Sequence, residues 1–142
     1  MTAKEEAELL VNDLVPFAKL MLREHGEFWP FGGTLGTDGS ITQVGGRMEV
    51  MEEGTPGELA DLLEGAFQSD AAQGKIRAAA IVLNVTLAAL GKDAILVRVD
   101  HADGYAVRVF FPYAIAGGEV TTDAPFANEG ERFAFGGGPA SA

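Results

Sequence analysis

Three clusters in this chain hold side chains of the kinds that do chemistry. Glu27-Phe28-Trp29-Pro30-Phe31-Gly32 is the densest aromatic run, with a carboxylate at its edge. An apolar recess with one polar handle is the usual make-up of a small-molecule pocket, so Glu27, Phe28 and Trp29, joined by Tyr113 from a later strand, are candidate ligand-binding residues. The competing reading is a hinge where a helix turns into a sheet, with the aromatics filling the core. The second cluster, Asp100-His101-Ala102-Asp103-Gly104, offers carboxylate and imidazole for acid–base work or a metal, although Asp and Gly there also suit a tight turn. His25 and His101 are the only histidines. A site built on both would need a third ligand from Glu27 or Asp100, and no standard ligand spacing is present. No metal and no cofactor are therefore expected. The third cluster, Glu49, Glu52, Glu53 and Glu58, is a candidate docking patch for a basic protein. The same carboxylates also suit a solvated loop that complements a helix dipole.

Other chemistries lack their residues. There is no cysteine, which excludes disulfides, thiol nucleophiles and thiolate metal sites. The serines are Ser40, Ser69 and Ser141, and none sits in a G-x-S-x-G elbow. Gly32-Gly33 and Gly45-Gly46 fit neither a P-loop nor a G-x-G-x-x-G pattern and read as bulges. Asn84 and Thr86 face a ligand from the sheet or hydrogen-bond within it. No catalytic residue is assigned.

The elements that would position these groups follow from local signals. Thr2 and Glu5 form a capping box ahead of an apolar stripe of Leu10, Leu14, Phe17 and Met21, widened by Val11, Ala18 and Leu22. Pro16 predicts a kink near Asp13 or two helical pieces in line. Gly26 stops the helix. A strand over 28–37, irregular at Pro30 and Gly32-Gly33, leads through Asp38-Gly39 into a return strand over 40–51. Thr55-Pro56-Gly57-Glu58 starts a second helix, with Leu59, Leu62, Leu63, Ala66 and Phe67 on one face and an end near Gln73-Gly74. Residues 76–90 mix helix-forming alanines with β-branched residues; they read as a strand with Ala79, Ile81, Leu83, Val85 and Leu87 toward the core and Ala78, Ala80, Val82, Asn84 and Thr86 outward or toward another layer. Ile95, Val97 and Val99 mark the next strand. Asp103-Gly104 turns into another, which Pro112 ends. Val120-Thr121-Thr122 is a short edge strand, Phe126, Phe133 and Phe135 pin the remainder, and 136–142 is expected to be disordered.

The expected fold is a single α+β domain over 1–135, in the order α-ββ-α-βββ. It has a mainly antiparallel five-stranded sheet and helices packed largely on one face. This order resembles the roadblock, longin and profilin-like group, which implies a sheet running 2-1-5-4-3; ferredoxin-like and cystatin-like packings fit less well. Glu27-Phe28-Trp29-Pro30-Phe31-Gly32, Asp93-Ala94-Ile95, Asp100-His101-Ala102-Asp103-Gly104 and Phe111-Pro112-Tyr113 together resemble a family of small bacterial proteins of unknown function. That resemblance brings no activity with it.

Net charge bounds the partners. Twenty-one acidic residues against ten Lys and Arg give −11. Such a field repels phosphate backbones, so nucleic acid is not an expected partner, and it speeds encounter with a basic protein. Residues 78–90 are interrupted by Asn84 and Thr86 and are too short to span a bilayer. With no basic, apolar leader at the N-terminus, the expected setting is the bacterial cytoplasm. The leading expectation is a non-enzymatic interaction module for a basic partner, in its sharper form an immunity-type inhibitor of a cationic toxin. The alternatives are a small-molecule binder or enzyme at Glu27 and Trp29, and a structural homo-oligomer subunit such as a homodimer.

Overall fold

The computed structural model describes residues 1–45 and 55–136. Helix α1 (Ala3–His25) starts at the capping box: the Thr2 hydroxyl accepts the Glu5 N–H, and Glu5 accepts the Thr2 N–H. It ends at Gly26, whose φ of 77° only glycine adopts without strain. Pro16 lies within one continuous helix rather than at a junction of two. Pro16 and Asn12, whose carbonyl the proline cannot serve, are both exposed, so water can satisfy the orphaned acceptor. Helix α2 (Pro56–Ala72) begins with a second capping box, Thr55 with Glu58.

Among the described residues, seven strands form one antiparallel sheet. They are β1 (Phe31–Gly36), β2 (Ile41–Gly45), β3 (Ile76–Leu87), β4 (Lys92–His101), β5 (Ala106–Ala116), β6 (Glu119–Thr122) and β7 (Phe126–Glu129). The α+β class holds, and the strand read over 76–90 is present over Ile76–Leu87, with a turn at 88–91. The sheet is larger than the expected five strands, because the tail adds two. β6 pairs with the second half of β5, with Tyr113 opposite Thr122, and β7 pairs with the first half, with Phe110 opposite Phe126. The register slips by one residue between them, so β6 and β7 are one edge strand broken by a bulge at Asp123–Pro125.

That break explains why Pro112 does not end β5. In a strand, one residue's N–H and C=O point to the same side. The Pro112 carbonyl accepts the Asp123 N–H, so its missing donor faces the bulge, where no partner is lost.

The strand order is β2-β1-β3-β4-β5-β6. It departs from the 2-1-5-4-3 order of the roadblock-like group. After α2 the chain returns beside β1 as β3, and the meander then grows outward through β4 and β5. The expected return strand beyond Gly45, with Gly46, Met48 and Val50, lies outside the described residues, as does the tail from Gly137.

The helices divide the two faces of the sheet between them. α1 buries Leu10, Leu14, Ala18 and Leu22 against Ala78, Ala80, Val82, Ile95, Val97 and Val99. α2 buries Leu63 and Phe67 against Ile76, Ala79 and Ile81, with Phe133 and Ala134 completing that smaller core. Both faces of β3 are therefore covered, and its larger core lies on the even-numbered side rather than the odd-numbered one. Consecutive glycines in β1 make this close approach. A Cβ on Gly32 would stand 2.9 Å from the Phe67 ring, and one on Gly33 would stand 2.9 Å from Leu14. Only glycine lets both helices sit so near one strand.

Candidate functional site

The aromatic run lands at the end of α1. Phe28 is buried, edge-on to Phe31 with ring centroids 5.8 Å apart, and Phe31 is edge-on to Phe17 at 5.0 Å. Trp29 is half-buried and Glu27 is exposed. Tyr113 belongs to the same core as Phe28, and its hydroxyl donates to Asn84 Oδ1 at 2.7 Å. Burial raises the Tyr113 pKa above the ordinary phenol value; the nearby Asp93 carboxylate adds to the rise, and the Asn84 hydrogen bond opposes it. Thr86 donates to Asp93. The structure thus brings Phe28 and Tyr113 into one core and leaves the Glu27 carboxylate in solvent.

The Asp100–Asp103 cluster splits across the sheet, because neighbouring strand residues face opposite ways. His101 points toward α1. Its Nδ1 accepts the Asp103 N–H at 3.0 Å, so the ring proton sits on Nε2, 2.7 Å from Glu6 Oε1. Glu6 Oε2 takes Arg77 at 2.8 Å, and Arg77 also reaches the Thr37 carbonyl. The His101 hydrogen bond, helped by the Arg77 charge, holds the Glu6 carboxyl below its ordinary value. This network ties the start of α1 to β3, β4 and the first hairpin. His25 sits at the opposite end of α1.

Asp100 points the other way and is fully buried. It accepts Arg132 Nε at 2.5 Å and the N–H groups of Ala134 and Phe135, both at 2.9 Å. Arg132 also donates to the His101 carbonyl. Gln68 holds the Phe133 carbonyl, and the Arg98 guanidinium lies 4.8 Å from the centre of the Phe133 ring while pairing with Glu64 at 2.9 Å. Asp100 therefore clamps the segment 130–136 across the sheet. No group of three His, Asp or Glu side chains among the described residues is placed to hold a metal ion.

Glu6, Arg77, Glu64 and Arg132 escape sequence reasoning, because their partners lie 32 to 95 positions away and no local spacing marks them. Of the acidic cluster, Glu58 is the capping carboxylate of α2, while Glu49, Glu52 and Glu53 lie outside the described residues.

Grooves open elsewhere. One of about 800 Å³ runs between α2 and the clamped segment, over Gln68, Arg98, Arg132, Phe133 and Phe135. Its arginines already have the carboxylate partners named above. A second, apolar groove of about 390 Å³ lies between α1 and β5, floored by Tyr105, Val107, Val109 and Phe111. It shares Tyr105, Val107 and Ala127 with a hollow of about 540 Å³ at the end of β7. Neither Glu27, Phe28, Trp29 nor Tyr113 lines any of these. No helix is long and apolar enough to cross a membrane among the described residues. Compared with known proteins, the chain matches no family model, no curated protein and no solved structure.

Proposed function

We propose that this chain is a protein-interaction module whose partner is basic. One observation carries the reading: between Arg47 and Lys75 the sequence holds seven carboxylates, Glu49, Glu52, Glu53, Glu58, Asp61, Glu64 and Asp70, and no lysine or arginine. Four of the seven lie on α2, which buries only Leu63 and Phe67 and exposes Leu62 at 70%. A helix that turns acid and an apolar side chain to solvent supports recruitment of a cationic surface. An inhibitor of a cationic toxin is the sharper form of the same reading.

The test is capture from an extract of the source organism at low salt, comparing the wild type with a Glu58→Lys/Asp61→Lys variant. A basic protein retained by the wild type and lost from the variant supports the reading. Equal retention by both, or retention of no basic protein, overturns it.

A further inference from the structure

α1 lies over β1, β3 and β4 and touches β6, but the first half of β5 stays open beneath it. Tyr105, Val107, Val109 and Phe111 project on the α1 side of the sheet and remain half-buried. With Val11 of α1 and Ala127 of β7 they line the apolar groove of about 390 Å³.

The dimensions fit one kind of occupant. Neighbouring strands lie about 4.8 Å apart, so β5 and β7 together offer roughly the 10 Å width of one helix. From Tyr105 to Phe111 is six residue steps, roughly 20 Å of strand, which is the length of a helix of about 13 residues. A sheet face buries its apolar residues under a second layer, and here that layer is one helix short.

Charge narrows the choice further. Glu8 and Lys4 of α1 line the groove, Glu129 stands opposite Val107 in the β5–β7 ladder, and Arg132 in the adjoining hollow is already paired with Asp100. The whole molecule carries −11. A second copy of the chain would bring two such charges face to face. A strand added at the outer edge would meet the bulge at Asp123–Pro125, which leaves only two four-residue runs to pair with.

We infer that the groove between α1 and β5 receives an amphipathic, basic helix of the partner protein. Its apolar stripe lies on Val107, Val109 and Phe111, and its cations face Glu8 and Glu129. This rests on the reading that the partner is basic, and adds a second contact on the sheet face opposite α2: the intact partner needs both α2 and the groove, whereas an isolated helix needs the groove alone.

The test uses two 14-residue peptides of identical Leu/Lys composition, one with helical and one with alternating apolar spacing, titrated into the full chain by fluorescence anisotropy. Two variants accompany the wild type, each checked for folding by circular dichroism. Ala127→Arg fills the groove from an exposed position on β7, and Asp61→Lys alters only α2. The expected result is binding of the helical peptide about tenfold tighter than the alternating one, with about a tenfold loss in Ala127→Arg and little change in Asp61→Lys. Equal binding of both peptides, lost in Asp61→Lys alone, would remove the groove and leave the basic-partner reading standing. Preference for the alternating peptide would replace the helix by an added strand. Binding of neither peptide would overturn both readings.

Discussion

At the scale of single residues, the polar network is structural, and its cost when broken can be stated. Arg132→Ala leaves the buried Asp100 carboxylate with two backbone donors and no cation. Removing one partner of a buried pair costs about 3–5 kcal/mol, and the partly exposed arginine places this one near the lower end, about 3 kcal/mol. Urea unfolding should show the drop; an unchanged midpoint would mean that Asp100 is not clamping the segment 130–136. Glu6 gives a pH signature. Its carboxyl sits below the ordinary 4.5 in the folded chain. Its contribution to stability is therefore complete above that value and is lost as pH falls through the folded pKa. The stability difference between wild type and Glu6→Gln should shrink below about pH 4.5 in urea titrations, and a constant difference across that range would contradict the His101 bond. Sequence spacing does place His101 and Asp100 beside a hairpin, and the turn reading was legible from Asp103-Gly104. What it could not show is that adjacent residues of one strand serve opposite faces, each matched by a carboxylate or guanidinium tens of residues away.

At the scale of elements, local chemistry was the most readable. Both capping boxes, the Asp-Gly hairpins and the glycine stop of α1 stand where the residues put them, because each signal acts over three or four positions. Pro16 is the exception. Tertiary burial of the stripe from Ala7 to Leu22 holds α1 continuous across it, overriding a break that costs up to about 3 kcal/mol in an isolated helix. Pro16→Ala restores an N–H donor at an exposed site, so the chain should be stabilised by about 1–3 kcal/mol. Thermal and urea midpoints that do not rise would show that the helix is already interrupted there. The strand read over 76–90 is found over Ile76–Leu87, and Ala79 and Ile81 do face a core, but it is the smaller of the two. When both sides of a strand are covered, alternation carries no information about which side is the larger core. Pro112 misled for a related reason, since a proline is harmless where the missing donor faces a bulge.

At the scale of the whole molecule, the division of the helices between two faces depends on Gly32 and Gly33, whose spacing reads equally well as a bulge. The strand order depends on where the chain goes after α2, which no local pattern records. The uncovered first half of β5 is likewise a property of the assembled sheet: Val107, Val109 and Phe111 look like ordinary core residues until α1 is seen to pass them by. Acidic charge, in contrast, is written in composition alone, and it joins the exposed face of α2 to the open groove in one account of a module that meets a basic protein. The central claim is tested most directly by calorimetric titration of the captured basic partner at increasing salt. Affinity should fall by about tenfold or more between roughly 0.05 M and 0.5 M salt, as expected when opposite surface charges drive association. Affinity that holds steady across that range would contradict an electrostatic partnership and the function built on it.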